Sequence, residues 1–325
     1  MITKRRFLMA LASLAGAVTE LAHAQSEDYP RRPIKLIIGF APGGSSDATV
    51  RTFALELERQ LGQPIVVENR AGATGLVAME SFAHARPDGY TLMMLSNVSL
   101  SALHVARKPL DMDKRFTPIG MFSATRVILV VNPKMIDVRD LAGFTDYVRR
   151  HPDLHYTSAG HGGLGHLGME LWSRASGLKL SHVPYRGTAP ALEDVRGGRV
   201  PIMVLDANAA LPLVEAGVLR AVVNVSSQRS PAMPDLPTAL ELGVPSLQID
   251  GTIGLVAPPA TPAPILDRLR SAIRQGTESE AFAHAARGTG AVKRYMDAPE
   301  YGAWLLKESE RWGGVIREIG LDRGG

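Results

Sequence analysis

Apolar residues dominate the stretch from Ile34 to Phe40, which lies between Pro33 and the loop Ala41-Pro42-Gly43-Gly44. A short apolar run between turn signals predicts a buried strand. The period then changes. Between Asp47 and Leu61, the residues Val50, Phe53, Leu55, Leu57 and Leu61 recur at helical spacing and predict one shared apolar side. A second strand over 64–67, a helix over 72–85 and a third strand over 91–95 follow. Strands alternating with helices at these distances predict βαβ units and a parallel sheet.

From Phe116 to Val131 the chain is apolar and extended, ending at Asn132-Pro133. The alternation then restarts, with helices over 138–150, 164–176, 188–196 and 208–216 and strands over 154–158, 180–184, 201–205 and 219–225. A Ser/Pro-rich loop, a second extended stretch from Leu247 to Val256 and a helical C-terminal third complete the reading. Two extended stretches around a complete α/β unit predict a discontinuous architecture. Residues 25–126 and 252–325 form domain I, 127–251 form domain II, and the two crossings make a hinge beside a cleft. The competing arrangement is two successive domains split near residue 132. No internal repeat is evident in the sequence.

Composition supports this scale. The chain has 325 residues, 45% of them hydrophobic, enough for two cores. Its first 24 residues combine the basic start Lys4-Arg5-Arg6, an apolar run from Phe7 to Val18 and the small residues of Ala22-His23-Ala24. That order predicts a secretory leader cleaved after Ala24 and a periplasmic mature protein; a membrane anchor or amphipathic first helix is the alternative reading. Arg5-Arg6-Phe7-Leu8 also loosely fits a twin-arginine signal, so the export route stays open. The absence of cysteine excludes disulfides and thiolate metal sites. The net charge of +4 falls to +2 without Lys4, Arg5, Arg6 and Glu20, and no basic run points to nucleic acid.

The candidate chemistry lies in the loop after the first strand. In an open α/β sheet, ligands bind beyond the carboxyl ends of strands. Gly43 and Gly44 permit close backbone approach, Ser45 or Ser46 offers a hydroxyl, and the helix start presents free amides with a positive dipole end. An anion suits that place. The loop lacks the lysine of a P-loop and the G-x-G-x-x-G of a dinucleotide site, so a carboxylate fits better than a polyphosphate. A plain glycine turn with an Asp or Ser cap is the bland alternative. Residues 156–166, YTSAGHGGLGH, repeat the strand, glycine loop and helix-start arrangement. Two such loops can grip both ends of a ligand. Charge-assisted hydrogen bonds contribute about 1.5–3 kcal/mol each, whereas association costs about 4–15 kcal/mol, so one loop alone would hold its guest poorly.

Several motifs, taken in order, resemble those of one family. RPIKLIIGFAPGGSSD, LGQPIVVENRAGATG, RPDGYTL, YTSAGHGGLGHLGMEL, HVPYRGTAPAL and RSPAMPDLPTALELGVP are similar to the substrate-binding receptors of tripartite tricarboxylate transporters, the Bug or TctC-like periplasmic binding proteins. The resemblance covers nearly the whole mature chain. It implies an α/β, two-domain "Venus flytrap" with two interdomain crossing strands, no cofactor, no metal and no catalysis. It implies a monomer that captures a small carboxylate, such as a di- or tricarboxylate, an amino acid or an aromatic acid. The membrane partner is a permease or, alternatively, a sensor kinase.

Carried onto this sequence, the resemblance puts a ligand carboxylate against Ala41, Gly43, Gly44, Ser45, Ser46 and Asp47. The distal part of the ligand meets Ser158, Ala159, Gly160 and His161, while Ser96 and Asn97 line the cleft or merely cap a helix. His161 stands where the family often has Asn or another small polar residue, and either contacts the ligand or faces solvent. His166 matches a recurring structural histidine. Asp206 either meets a ligand donor or caps the following helix, and Tyr185 and Arg186 offer a hydroxyl and a charge. A periplasmic hydrolase is the rival from another class: His161-Gly162-Gly163 looks like part of an oxyanion hole, but no G-x-S-x-G elbow accompanies it. A metal site finds no support in spacing, since His161 and His166 come without an H-E-x-x-H pattern.

Overall fold

Ile34, Leu36 and Ile38 of the first strand, β1 (Ile34–Ile38), are all fully buried. The computed structural model describes residues 29–107, 115–185, 187–289 and 291–323; the expected leader at 1–24 and Arg186 lie outside them. Helix α1 (Ser45–Leu61) follows, with Val50, Phe53, Leu57 and Leu61 inward, whereas Leu55 faces solvent at 55% exposure. The first sheet continues with β2 (Ile65–Asn69) and β3 (Thr91–Leu95). Helix α2 is shorter than the sequence predicts, Leu76–Phe82, because Ala73–Gly75 form a 3-10 turn with Thr74 at φ 56° between Gly72 and Gly75, both at positive φ. A helix absent from the sequence reading, α3 (Asn97–Val105), starts at Ser96.

Strand β4 (Thr117–Thr125) leads through Arg126 directly into β5 (Val127–Val131) of a second sheet. The chain then forms α4 (Leu141–Arg150), β6 (His155–Ser158), α5 (Leu164–Ser176), β7 (Ser181–Pro184), α6 (Thr188–Arg196), β8 (Ile202–Asp206), α7 (Ala207–Glu215) and β9 (Arg220–Asn224). It returns through β10 (Gly251–Ala257) to the first sheet and ends with α8 (Ala263–Glu278), α9 (Glu280–Thr289), β11 (Ala291–Met296) and α10 (Ala298–Glu318). The strand orders are β11-β4-β10-β3-β1-β2 and β7-β6-β8-β5-β9. Among the described residues no helix is long and apolar enough to cross a membrane.

Both sheets are mixed, which corrects the expectation of parallel sheets. β10 runs antiparallel to β3 and β4, and β5 runs antiparallel to β8 and β9. The crossings explain this. A chain arriving from the other lobe enters at the cleft, where β1, β3, β6 and β8 end, so it must run away from the cleft and against them. The C-terminal third is helical as expected except for β11, which pairs with β4 as an edge strand. Its Lys293 and Arg294 interrupt the apolar alternation, as charged residues commonly do on exposed edges.

Each lobe has its own core. Phe53, Phe122 and Phe282 pack on one face of the first sheet, and Phe144, Trp172 and Tyr156 anchor the second. Helix α10 serves both. Tyr301 and Leu305 belong to the first lobe, with Tyr301 Oη donating to Leu95 O at 2.7 Å, while Trp312, Val315 and Ile316 enter the core of the second.

Candidate functional site

Gly39, just beyond β1, packs so closely that an added Cβ would lie 2.8 Å from Gly75 Cα. The loop then turns through Gly43 at φ 81° and reaches the N-cap Gly44 at φ −77°, ψ 167°. No side chain caps α1, so its first-turn amides face the loop unclaimed by a capping residue. Asp47 points back instead. Its Oδ2 accepts from Gly43 N at 3.0 Å, and its Oδ1 accepts from Asn69 Nδ2 at 2.8 Å and Arg51 Nε at 3.0 Å. Burial alone would raise the Asp47 pKa, but these donors from Arg51, Asn69 and Gly43 outweigh it and hold the pKa below the ordinary value. Asp47 therefore sets the shape of the loop and has its carboxylate occupied.

The second loop has the same construction. Gly162 turns at φ 70°, Gly163 is the N-cap at φ −76°, ψ 168°, and no side chain caps α5. Where Gly43 N donates to Asp47, Gly162 N donates to His166 Nδ1 at 3.0 Å. Two unlike sequences thus build one motif: a positive-φ glycine whose amide is tied four residues ahead, then an open helix end. Ala41, Gly43 and Gly44 are exposed, Ser45 and Ser46 half-buried; across the gap, Ala159 and His161 are exposed and Gly160 half-buried.

His166 accepts through Nδ1, so the ring must stay neutral to hold the loop. Burial first, then His182 and His161, push its pKa down to about 3; burial and His161 bring His182 to about 4. Both folded values lie below the ordinary 6.5, so the folded state binds fewer protons than the unfolded one as pH falls. The expected outcome is a contribution to stability that is complete above about pH 6.5 and declines progressively toward pH 4 and then 3. Unfolding midpoints of the protein and its His166→Asn variant check this: the variant keeps an acceptor for Gly162 and should show a flatter acid profile. Parallel profiles would refute it.

The lobes touch beside both loops, across an interlobe gap. Ser45 Oγ donates to Asp206 Oδ2 across it at 2.5 Å. Thr74 Oγ1 donates to His161 O at 3.4 Å and Ser101 Oγ to Gly162 O at 2.7 Å on one rim; Asn208 Nδ2 donates to Arg287 O at 2.8 Å on another. Asp206 occupies the N-cap position of α7 but makes no side-chain cap bond. Its carboxylate turns into the gap, where burial raises its pKa and the Ser45 hydroxyl opposes that rise only in part.

Other candidates are spent elsewhere. Ser96 caps α3 by accepting from Ser99 N. Asn97 is fully buried, donates to Asp250 O at 2.6 Å and Glu308 Oε2 at 3.2 Å, and accepts from Thr252 N at 3.3 Å, so it clamps the returning strand. The Tyr185 hydroxyl donates to Asp194. Ser158 is buried, donates to Gly160 O at 3.2 Å and pairs with His182 Nε2 at 2.9 Å. This pair is no catalytic triad, because His182 Nδ1 has no carboxylate to orient it. Thr74, Ser101 and His182 were missed in the sequence; among them only the glycines flanking Ala73-Thr74 gave any local signal.

The description "Tripartite tricarboxylate transporter family receptor" matches residues 49–321. BugT of Bordetella pertussis is 33% identical over 318 residues, covering 96% of this chain and 97% of the relative. MatC from Rhodopseudomonas palustris, solved with bound malate, is 32% identical with a TM-score of 0.76, over 89% of this chain and all of that one. A second R. palustris protein, solved with adipate, is 29% identical with a TM-score of 0.79, over 90% of this chain and 99% of that one. With its two-lobed α/β fold and these likenesses along nearly its whole length, the chain belongs to the family of tripartite tricarboxylate transporter receptors, which are periplasmic binding proteins.

Proposed function

We propose that the protein captures a small carboxylate between its lobes and presents the closed complex to a membrane permease. The two lobes are built from residues 25–126 with 252–325 and from residues 127–251, with the C-terminal half of α10 packed into the second lobe, after removal of residues 1–24 as an export leader. The observation that carries this reading is the pair of glycine-led, uncapped helix starts at Gly44 and Gly163, facing one gap. Backbone amides there neutralise a carboxylate without chemical change to it. Malate and adipate in the related structures fit that ligand class.

Asp206 refines the ligand. In this arrangement its carboxylate accepts from the Ser45 hydroxyl, which offsets its burial only in part. A ligand entering between them must replace that donor, so a hydroxyl or ammonium group beside the carboxylate is favoured over a bare dianion.

Thermal-shift measurement with malate, adipate and a set of amino acids tests both parts. A ligand at about 100 times its Kd stabilises by about 2.7 kcal/mol. Gly44→Leu should abolish the shift and keep the unliganded fold, because a Cβ at Gly44 meets only Ala41 O, at 3.7 Å. Asp206→Ser should narrow the preference for donor-bearing acids. An undiminished shift in Gly44→Leu would remove the first loop from the site.

A further inference from the structure

His161, His166 and His182 come together beside the second loop, with one nitrogen of each ring within 4.8 Å of the others. They arise from the loop, from α5 and from β7, which sequence spacing does not connect. The rings are stacked: centroids lie 4.8 Å apart for His161 and His166, and 4.0 Å apart for His166 and His182. Each neutral imidazole carries one N–H and one lone pair, so their hydrogen bonds can be assigned by accounting.

His166 Nδ1 accepts from Gly162 N, so its lone pair is used and its Nε2 keeps the proton, 4.0 Å from Glu170 Oε1. His182 differs. Ser158 Oγ lies 3.2 Å from Gly160 O and 2.9 Å from His182 Nε2, and assigning its one proton to Gly160 O makes it the acceptor for an N–H at His182 Nε2. The lone pair of His182 is thereby placed on Nδ1, a buried atom with no hydrogen-bond partner. An imidazole with one nitrogen anchored through its N–H and the other bearing an unclaimed lone pair is arranged as metal-ligating histidines are. His161, beside it, is exposed, and its ring makes no hydrogen bond recorded among the described residues.

We propose that His161 and His182 bind one divalent first-row transition metal of borderline softness, with zinc or nickel the preferred class. Imidazole nitrogens suit these ions, and the absence of a cluster of oxygen donors disfavours magnesium and calcium. The His161 and His182 ring centres lie 6.2 Å apart, with His166 stacked against both. Rotation of the exposed His161 ring brings its nitrogen toward that of His182 and the metal–nitrogen distance of about 2.1 Å. His166 remains the prop of Gly162 and the wall against which the other rings stack. Two protein ligands leave further coordination positions on the metal, and His161 O itself meets Thr74 of the first lobe. Water or an anionic guest can fill them.

Titration calorimetry with zinc chloride and nickel chloride alone, on tag-free protein stripped with a chelator, tests the site. One equivalent should bind with a Kd below about 100 μM, and magnesium should give no heat. His161→Ala, a change on an exposed loop, and His182→Ala should each weaken zinc at least about tenfold. His155→Ala, at the exposed start of β6, should leave it unchanged. The absence of a one-to-one zinc site, or equal affinity in wild type and His161→Ala, would overturn the assignment. Because metal alone is the probe, either result is independent of whether a carboxylate binds.

Discussion

Asp47→Ala should destabilise the protein by about 2–4 kcal/mol and abolish any carboxylate-induced thermal shift. The buried Asp47 carboxylate receives Gly43 N, Asn69 Nδ2 and Arg51 Nε. Alanine removes three charge-assisted hydrogen bonds, each worth about 1.5–3 kcal/mol, and the sum is discounted because Gly43 is exposed and Asn69 Nδ2 keeps Phe40 O as an acceptor. The same change releases Gly43 from its φ of 81° and with it the approach to α1. Urea unfolding measures the first effect and thermal shift the second. Asp47→Asn keeps an acceptor oxygen and should recover part of the stability. In the unsubstituted protein the folded Asp47 pKa lies below 3.8, so the charge-dependent part of its contribution is complete at neutral pH and fades only as pH falls through that value and below. A ligand response intact in Asp47→Ala would show that the loop does not need its internal tether.

Trp312→Ala carries the largest expected loss of stability, about 3–5 kcal/mol. The indole is fully buried among residues of the second lobe, although it stands on the helix that begins in the first. Its Nε1 donates to Glu308 Oε2 at 2.8 Å, and the Arg311 guanidinium lies 4.5 Å from its ring centre. Urea unfolding gives the magnitude, and amide exchange locates it. Protection should fall in α5 and in the loop around Leu247 and Ile249, which share that core. A loss confined to residues 29–125 would contradict the shared packing.

Much of this architecture was legible because local signals agreed. Strand 91–95 and helices 164–176 and 188–196 lie where the pattern put them, since periodicity and flanking glycine point the same way. Mixed strand direction was not legible. It depends on where the chain enters a sheet, which hydrophobic period does not record. β11 was missed because Lys293 and Arg294 disguise a strand that needs only one covered edge.

The site divides in the same manner. Glycine marks both loops, because positive φ at Gly43 and Gly162 is a local demand that sequence displays. What the neighbouring side chains do is non-local. Ser96 and Asn97 look like cleft residues at a strand end, yet Asn97 is consumed by Asp250 and Glu308, far along the chain. Asp206 reads as a helix cap, and only the opposing lobe supplies Ser45 to draw it into the gap. His182 is silent in sequence because its stacking partner is a whole helix away.

The sharing of α10 between lobes also fixes an order of assembly. The middle segment can pair its strands early, but Trp312, Val315 and Ile316 emerge only after all of β5 to β9 during synthesis. Until then the second lobe has an open socket, so a chain cut short before residue 312 should be a target for proteases even with every strand in place.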